Sequence, residues 1–499
     1  MFIRKKKNKS GSVSIQIIQK INRSNKVIKT IGSSKDVDEV EKLYLKALYE
    51  LPRLFGPTLF DKEVKPDIAE LSNDSIQIIG PELIFGKIYD KIGFGTIQEP
   101  LLRHMAISRI SHPGSKLQLS KYLSDIGEKP ISVYSIYRFM DKLHNRLKEK
   151  IEDISFNYTK QILGGKIGVL FYDVTTIYFE ASEADDYRIA GFSKDGKHQN
   201  PQILLGLLVG KDGYPIGYEI FEGNTYEGHT LISVLQKYIA RFNIDKPIVV
   251  ADSGLLSRSN IKMLIENDFK FILGARIKNE KKHTINQILI LKLHNGEVKT
   301  IKNDEGLTIH ISYSEKRAHK DAYNREKGVN KLKKSISSGQ LTKKNINNRG
   351  YNKYLKMEGK MNISIDKEKL NKDAKWDGLK GYITNTKLSS EEVLNSYNNL
   401  WKIEKAFRIS KSDLRVRPIY HRLRQRVEAH ICISFMSYLI FKELERIIEK
   451  NKLDLSVTEA LKQINKMYGI KLQTPNNKIV NLKNNDIQRR LLEIVEAEF

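Results

Sequence analysis

The sequence predicts an α/β fold: a mixed sheet with helices, interrupted by a basic β-rich insertion and preceded by an N-terminal β-hairpin and a helical region. Three observations predict it. From residue 166 short apolar runs alternate with segments of helical period. Residues 276–375 break that order with 25 Lys plus Arg against 11 Asp plus Glu. Between residues 38 and 160 the apolar positions recur mostly at helical spacing.

Residues 12–31 alternate Val13, Ile15 and Ile17 with polar residues, cross a polar turn at Asn22 to Asn25 and resume at Val27, Ile28 and Ile31, which predicts a hairpin. Ser115–Tyr122 is a helix candidate, and Ser132 caps another whose Val133, Ile136, Met140, Leu143 and Leu147 recur at 3,4,3,4 spacing. The two are close enough for a helix-turn-helix, although such pairs are more often plain packing units. IGVLFYD, QILLGLLVG and YPIGYEIF predict a meander, with a turn at Lys211–Gly213. Helix His229–Phe242, strand PIVVAD, helix Ser259–Asn267 and strand Phe269–Ile277 follow. In the insertion, strands Ile309–Tyr313 and Met361–Ile365 flank a basic helix, Glu315–Lys334; GLKGYITNT is a further strand. Ser389 or Ser390 caps a long helix that stops by Pro418, and helices fill residues 421–499. The segments expected are 1–50 (hairpin and helix), 51–165 (helical, a candidate DNA-end-binding domain), 166–275 and 376–445 (the two parts of the core), 276–375 (the insertion) and 446–499 (C-terminal helical region).

The chain of 499 residues carries 86 Lys plus Arg against 59 Asp plus Glu, a formal charge of +27, so a polyanionic partner is expected. About half of that excess lies in the insertion, which favours a phosphate-facing subdomain over a merely solvated one. A single cysteine, Cys432, excludes an internal disulfide framework and a Cys-cluster zinc site. The N-terminal run Arg4–Lys7 has no apolar stretch of the secretory kind, and the most apolar run, Ile431–Phe441, has 11 residues where a membrane span takes about 20. A cytoplasmic, nucleoid-associated protein is the expectation.

Asp173 and Asp252 each end an apolar strand run, where sites form in open α/β sheets. A carboxylate there is costly unless a cation or strong donors compensate it, which points to a metal; the competing reading is a turn or helix cap, strongest for Asp252 before Ser253 and Gly254. Glu404 is the third acid. With Trp401, Arg408 and Lys411 it shares one face of the predicted helix, beside an apolar stripe of Leu400, Ile403 and Phe407. The competing reading is a surface Glu404–Arg408 pair worth tenths of a kcal/mol. Residues 401–426 hold nine Lys plus Arg and two acids, more than a solvated face needs.

The order strand acid, strand acid, helix acid, in the blocks FYDVTTIYFE, VADSGLLS and YNNLWKIEKAFRISKSDLRVRPIYHRLRQRVEAH, resembles the three motifs of bacterial insertion-sequence transposases of the DDE class. It is similar to the branch in which a β-strand insertion precedes the glutamate; 151 residues separate Asp252 from Glu404. That branch carries Tyr, two residues, Arg, three residues, Glu, six residues, Lys, and this chain has Tyr397, Glu404 and Lys411 at those places with Leu400 at the Arg position. Arg408 or Lys402 is the expected substitute. GFSKDGKHQNPQ, FEGNTYEGHT, YSEKRAHKDAYNREK and WDGLKGYITN extend the likeness over about residues 80–450.

The resemblance implies a ribonuclease-H-like core in which Asp173, Asp252 and Glu404 are catalytic and hold two Mg²⁺ ions, with Mn²⁺ as a substitute. It implies 3′-end nicking by water and then strand transfer by the freed 3′-hydroxyl, on double-stranded DNA carrying terminal inverted repeats and on target DNA, by a homodimer. Tyr397, Arg408, Lys411, Arg415, Arg417 and His421 are the expected DNA-binding residues of the third motif, with Arg422 and Arg424 as an extension; Lys194, Lys197 and His198 are those of the loop after the first strand. For each the alternative is a solvated cation, and for Trp401, core packing rather than base stacking. Two rival readings are a structure-selective nuclease on the same core and an inactive transposase-derived DNA-binding protein.

Overall fold

The computed structural model describes residues 1–21, 24–53, 75–126, 130–181, 183–339, 341, 346–347, 349–358, 362–471 and 479–498. It forms two compact units, Met1–Ser75 and Ile76–Phe499. In the first, β1 (Phe2–Lys7), β2 (Val13–Ile21) and β3 (Ser24–Ser34) make an antiparallel sheet in that order, followed by α1 (Val37–Arg53). Ile15 and Ile17 of β2 are buried with Val40 and Ala47 of α1. The predicted hairpin is β2–β3, and part of its turn, residues 22 and 23, lies outside the described residues. Strand β1 was not expected: its charged run suits an edge strand rather than a half-buried one, so it gives no apolar alternation.

The second unit starts with β4 (Ile76–Ile78) and the helices α2 (Lys87–Ile92), α3 (Pro100–Ser111), α4 (Lys116–Asp125), α5 (Val133–Lys142) and α6 (Lys148–Ile162). The predicted Ser132 cap is formed, its Oγ accepting the Ser135 amide; Ser115, expected as the first residue of a helix, is instead the cap of α4, in a capping box with Gln118. Then come β5 (Val169–Tyr178), β6 (Gln202–Val209), β7 (Pro215–Glu222), α7 (Thr230–Phe242), β8 (Ile248–Ala251), α8 (Arg258–Glu266), β9 (Lys270–Ala275) and α9 (Lys282–Ile290). Strands β5 to β7 pair antiparallel, while β8 lies parallel to β5 and β9 parallel to β8, with α7 and α8 as the crossovers that parallel pairing requires. The order β7-β6-β5-β8-β9 is the ribonuclease-H-like arrangement that the motifs imply.

Within the expected insertion, β10 (Val298–Lys302) and β11 (Thr308–Tyr313) join the same sheet through β14 (Leu379–Thr384), which pairs with β9 and completes eight strands. Between them lie α10 (Glu315–Ser337), the hairpin β12 (Leu355–Glu358) and β13 (Asn362–Ile365), and α11 (Lys367–Ala374). Leu332, Tyr354 and Leu355 form a small separate core here. Met361, expected to open a strand, lies outside the described residues.

The long helix expected from Ser389 is broken into α12 (Ser390–Asn398), α13 (Trp401–Arg408) and a π-turn at Ile409–Asp413. After it, α14 (Arg424–Lys450) is buried along almost all of Val427–Ile448, which accounts for the apolar run there. Among the described residues no helix is long and apolar enough to cross a membrane. The C-terminal region is not all helical: α15 (Val457–Ile464), β15 (Tyr468–Lys471), β16 (Ile479–Asn481) and α16 (Asp486–Glu496) follow, and β16-β15-β4 form a small sheet. Strands of three or four residues are too short to show a two-residue period. Alternation along β5 sets the two layers: Leu170, Tyr172 and Val174 pack with α7 and α8, while Phe171 and Ile177 pack with α13 and α14. Asp173 belongs to the second series.

Candidate active site

Tyr172 and Ala251 are paired neighbours on β5 and β8, so Asp173 and Asp252 each follow a paired residue. Asp252 comes after the end of β8, whereas Asp173 does not end its strand as expected but lies within β5, paired with Leu207 of β6, because the antiparallel pairing with β6 carries β5 on to Tyr178. Burial pushes the Asp173 carboxyl up to about 6; Lys194 and the Val174 amide oppose the rise, and the carboxylates of Glu227 and Asp252 add to it. The Val174 N–H donates to Asp173 Oδ1 at 2.7 Å. Lys194 Nζ lies 3.9 Å from Asp173 and 3.0 Å from Glu227, and donates to the Val174 carbonyl at 2.5 Å. An ammonium thus stands among the acids.

Asp252 is exposed, and Tyr397 Oη donates to its Oδ1 at 2.8 Å. That reach depends on Gly274 of β9, where a Cβ would lie 2.4 Å from Tyr397 Oη and 3.0 Å from the Ser253 amide. Arg276 donates to the Ser253 and Gly254 carbonyls at 2.9 and 3.3 Å and fixes the loop after Asp252. Glu404 is exposed on α13, which packs against β5. Its charge acts on Tyr397 and on Lys380 of β14, as does that of Asp252. Lys380 sits 4.5 Å from the Tyr397 ring; burial and then Arg317 lower its pKa, against the two acids.

The remaining candidates separate into two groups. Lys411 Nζ donates to Asp195 Oδ2 at 3.3 Å, and Arg417 pairs with the same oxygen, so Asp195 ties the third motif to the loop of Lys194, Lys197 and His198. Arg417 and Lys197 both lie over the Tyr178 ring, at 6.0 and 5.6 Å. His198 is exposed, and its Nδ1 accepts the Ser193 amide at 3.2 Å. Elsewhere, Arg408 lines a cavity with Lys405, Asp413 and Glu445, on the side of α13 facing α14 and α15. The π-turn after it, wider than an α-turn, takes Lys411 off the face expected for both. Arg415 is exposed, with φ 45°. His421 is half-buried between Tyr137 and His430. Leu400 is buried in the core, and Lys402 donates to Asp212 at 2.7 Å, away from the acids.

Glu227 and Lys380 were not singled out from the sequence, although both lie in stretches, FEGNTYEGHT and WDGLKGYITN, that carried the resemblance. The donor set suits a hard divalent cation: all oxygen, one carboxyl made costly to ionise by burial and two neighbouring acids, with a lysine standing in as countercharge. Among the described residues no three acidic, histidine or cysteine side chains already converge closely enough to cage an ion.

The model of the transposase DDE domain matches residues 164–440. The chain belongs to the DDE transposase family. No curated protein matches it by sequence. Among solved structures, a piggyBac transposase synaptic complex with hairpin DNA is similar over 77% of this chain and 76% of its own, at 8% identity and a TM-score of 0.40. A Mos1 transposase paired-end complex with the left transposon end is similar over 47% and 67%, at 13% identity and a TM-score of 0.16.

Proposed function

We propose that this chain nicks the 3′ ends of its own insertion-sequence element and joins them to target DNA, with Asp173, Asp252 and Glu404 as catalytic residues and metal ligands. The observation that carries this reading is that Asp173 and Asp252 each follow one of the paired residues Tyr172 and Ala251 on adjacent parallel strands, with Asp252 held by Tyr397 one helix away from Glu404. Mg²⁺, with Mn²⁺ as a substitute, would supply Lewis acidity toward a phosphoryl oxygen when held there. The chain's own groups do the rest. Tyr397 and Arg276 orient Asp252 and its loop; Lys380 balances Asp252 and Glu404 on the sheet side. Lys411 and Arg417, gathered by Asp195, are placed to take a phosphate beside the scissile bond. Lys380, rather than Lys402 or Arg408, is the cation positioned to replace the missing arginine. Two copies holding the two inverted repeats would make the working assembly.

The test is a labelled duplex spanning the DNA that flanks the gene, incubated with Mg²⁺. Wild type should nick at the element end and give joined products, and Ala at Asp173, Asp252 or Glu404 should abolish both while binding persists. A variant at any of the three that still nicks would end the assignment.

A further inference from the structure

Arg109 on α3 and Lys116 at the start of α4 are each only 6% exposed, as buried as most of the core around them. Long cations are almost never buried to that extent without an acid, because the desolvation cost is not returned. Among the described residues neither has a carboxylate partner. Arg109 Nη2 meets His430 Nδ1 at 3.4 Å, and His430 Nε2 meets the Val416 carbonyl at 3.0 Å. The His421 ring lies 5.4 Å from that of His430 and edge-on to Tyr137 at 5.9 Å. Arg426, also close, is spent on Asp141 in a bidentate pair at 2.8 Å. Arg109, His430 and His421, from α3, α14 and the segment before it, therefore stand together, Lys116 of α4 is close enough for its charge to act with each of them, and among the described residues no carboxylate pairs with any of the four.

Burial lowers all four: Arg109 to about 10, His421 to about 3, and Lys116 and His430 well below their ordinary values, the last three also through mutual repulsion. A bound anion would reverse both causes. The surroundings suit a nucleic acid. Tyr134, one turn before Arg138 on α5, and Tyr420, beside His421, are 68% and 70% exposed. The segment from Val416 to His421 also carries Arg417 into the Asp195 cluster, so the convergence backs onto the cations of the candidate active site.

We propose that Arg109, Lys116, His421 and His430 form a pocket that grips one backbone phosphate of the DNA, at a point separate from the scissile bond. This rests on the reading of the chain as a DNA-processing enzyme. The experiment compares full-length wild type, Lys116→Met and Lys116→Arg for binding a labelled 30-base-pair duplex in EDTA across a salt titration, and for thermal stability with and without inorganic phosphate. Lys116→Met should melt higher than wild type, since an unpaired buried cation is gone, yet bind the duplex about tenfold more weakly, with a salt slope shallower by about 0.9. Lys116→Arg should keep the wild-type slope. Inorganic phosphate should stabilise wild type more than Lys116→Met. A wild-type slope and affinity in Lys116→Met overturns the proposal, even if phosphate alone stabilises wild type, because the pocket then holds free anion and not DNA. A lower melting point in Lys116→Met also overturns it, since the lysine would then be paired within the fold. Failure here leaves Asp173→Ala unable to nick, whereas failure of the catalytic assignment shows as an Asp173→Ala that nicks; the two outcomes are separable.

Discussion

Asp173 carries a measurable cost in its own titration. Its carboxyl is raised to about 6 in the folded chain against roughly 3.9 when unfolded, so the folded state binds a proton more tightly. The stability that this gives is complete below the unfolded value and is lost as pH rises through 6. Asp173→Asn should therefore be more stable than wild type by about 2–3 kcal/mol at pH 8 in a chelator, and equal to it below about pH 4. Denaturant unfolding of both proteins across that range is the check, and a difference that does not shrink on acidification refutes the account. Asp173, Asp252, Glu404, Tyr397 and Lys411 could be singled out as candidates because residue type and spacing coincide with a known pattern. Glu227 and Lys380 were not, since one lies in a loop turn and the other on a strand leaving a lysine-rich insertion, where no spacing distinguishes one charge from its neighbours. Leu400 was visible as a departure, but its burial, which explains why a leucine is tolerated there, is a property of the packed core.

Among the elements, the sheet core was readable because its strands are long or bounded by turn residues, and its helices announce their caps. The break between α12 and α13 and the π-turn after α13 were not, because an uninterrupted helical period runs through both. That break matters, since it lets Tyr397 look toward Asp252 across Gly274 while Glu404 follows on a separate helix. Gly274→Ala should cost about 1–3 kcal/mol by overpacking against Tyr397 and the Ser253 amide. In a Tyr397→Phe background the same substitution should cost less, because the nearest clash, at the phenol oxygen, is gone. A double-mutant cycle showing purely additive losses would mean that the close approach does not bind the two elements together.

Across the whole molecule, charge is the property that the sequence declared most openly and the fold then distributed. Helix α10 presents Lys327, Lys331 and Lys334 on one exposed face, and none of them makes an ion pair among the described residues. Changing all three to Gln should weaken duplex binding to a similar degree whatever the DNA sequence and flatten the salt slope by up to about 2.7, or about 0.9 for each lysine that meets a phosphate. An unaltered slope would mark this face as solvated only. The stretch from Val416 to His421 has a different consequence. Its Val416 carbonyl is held by His430 and the adjoining Arg417 by Asp195, so two grips on consecutive residues hang on one short length of backbone. Their separation is set by covalent geometry and not by a tether, so on the reading proposed above that stretch would act as a gauge, with a strand seated at one end having its cutting position measured off at the other.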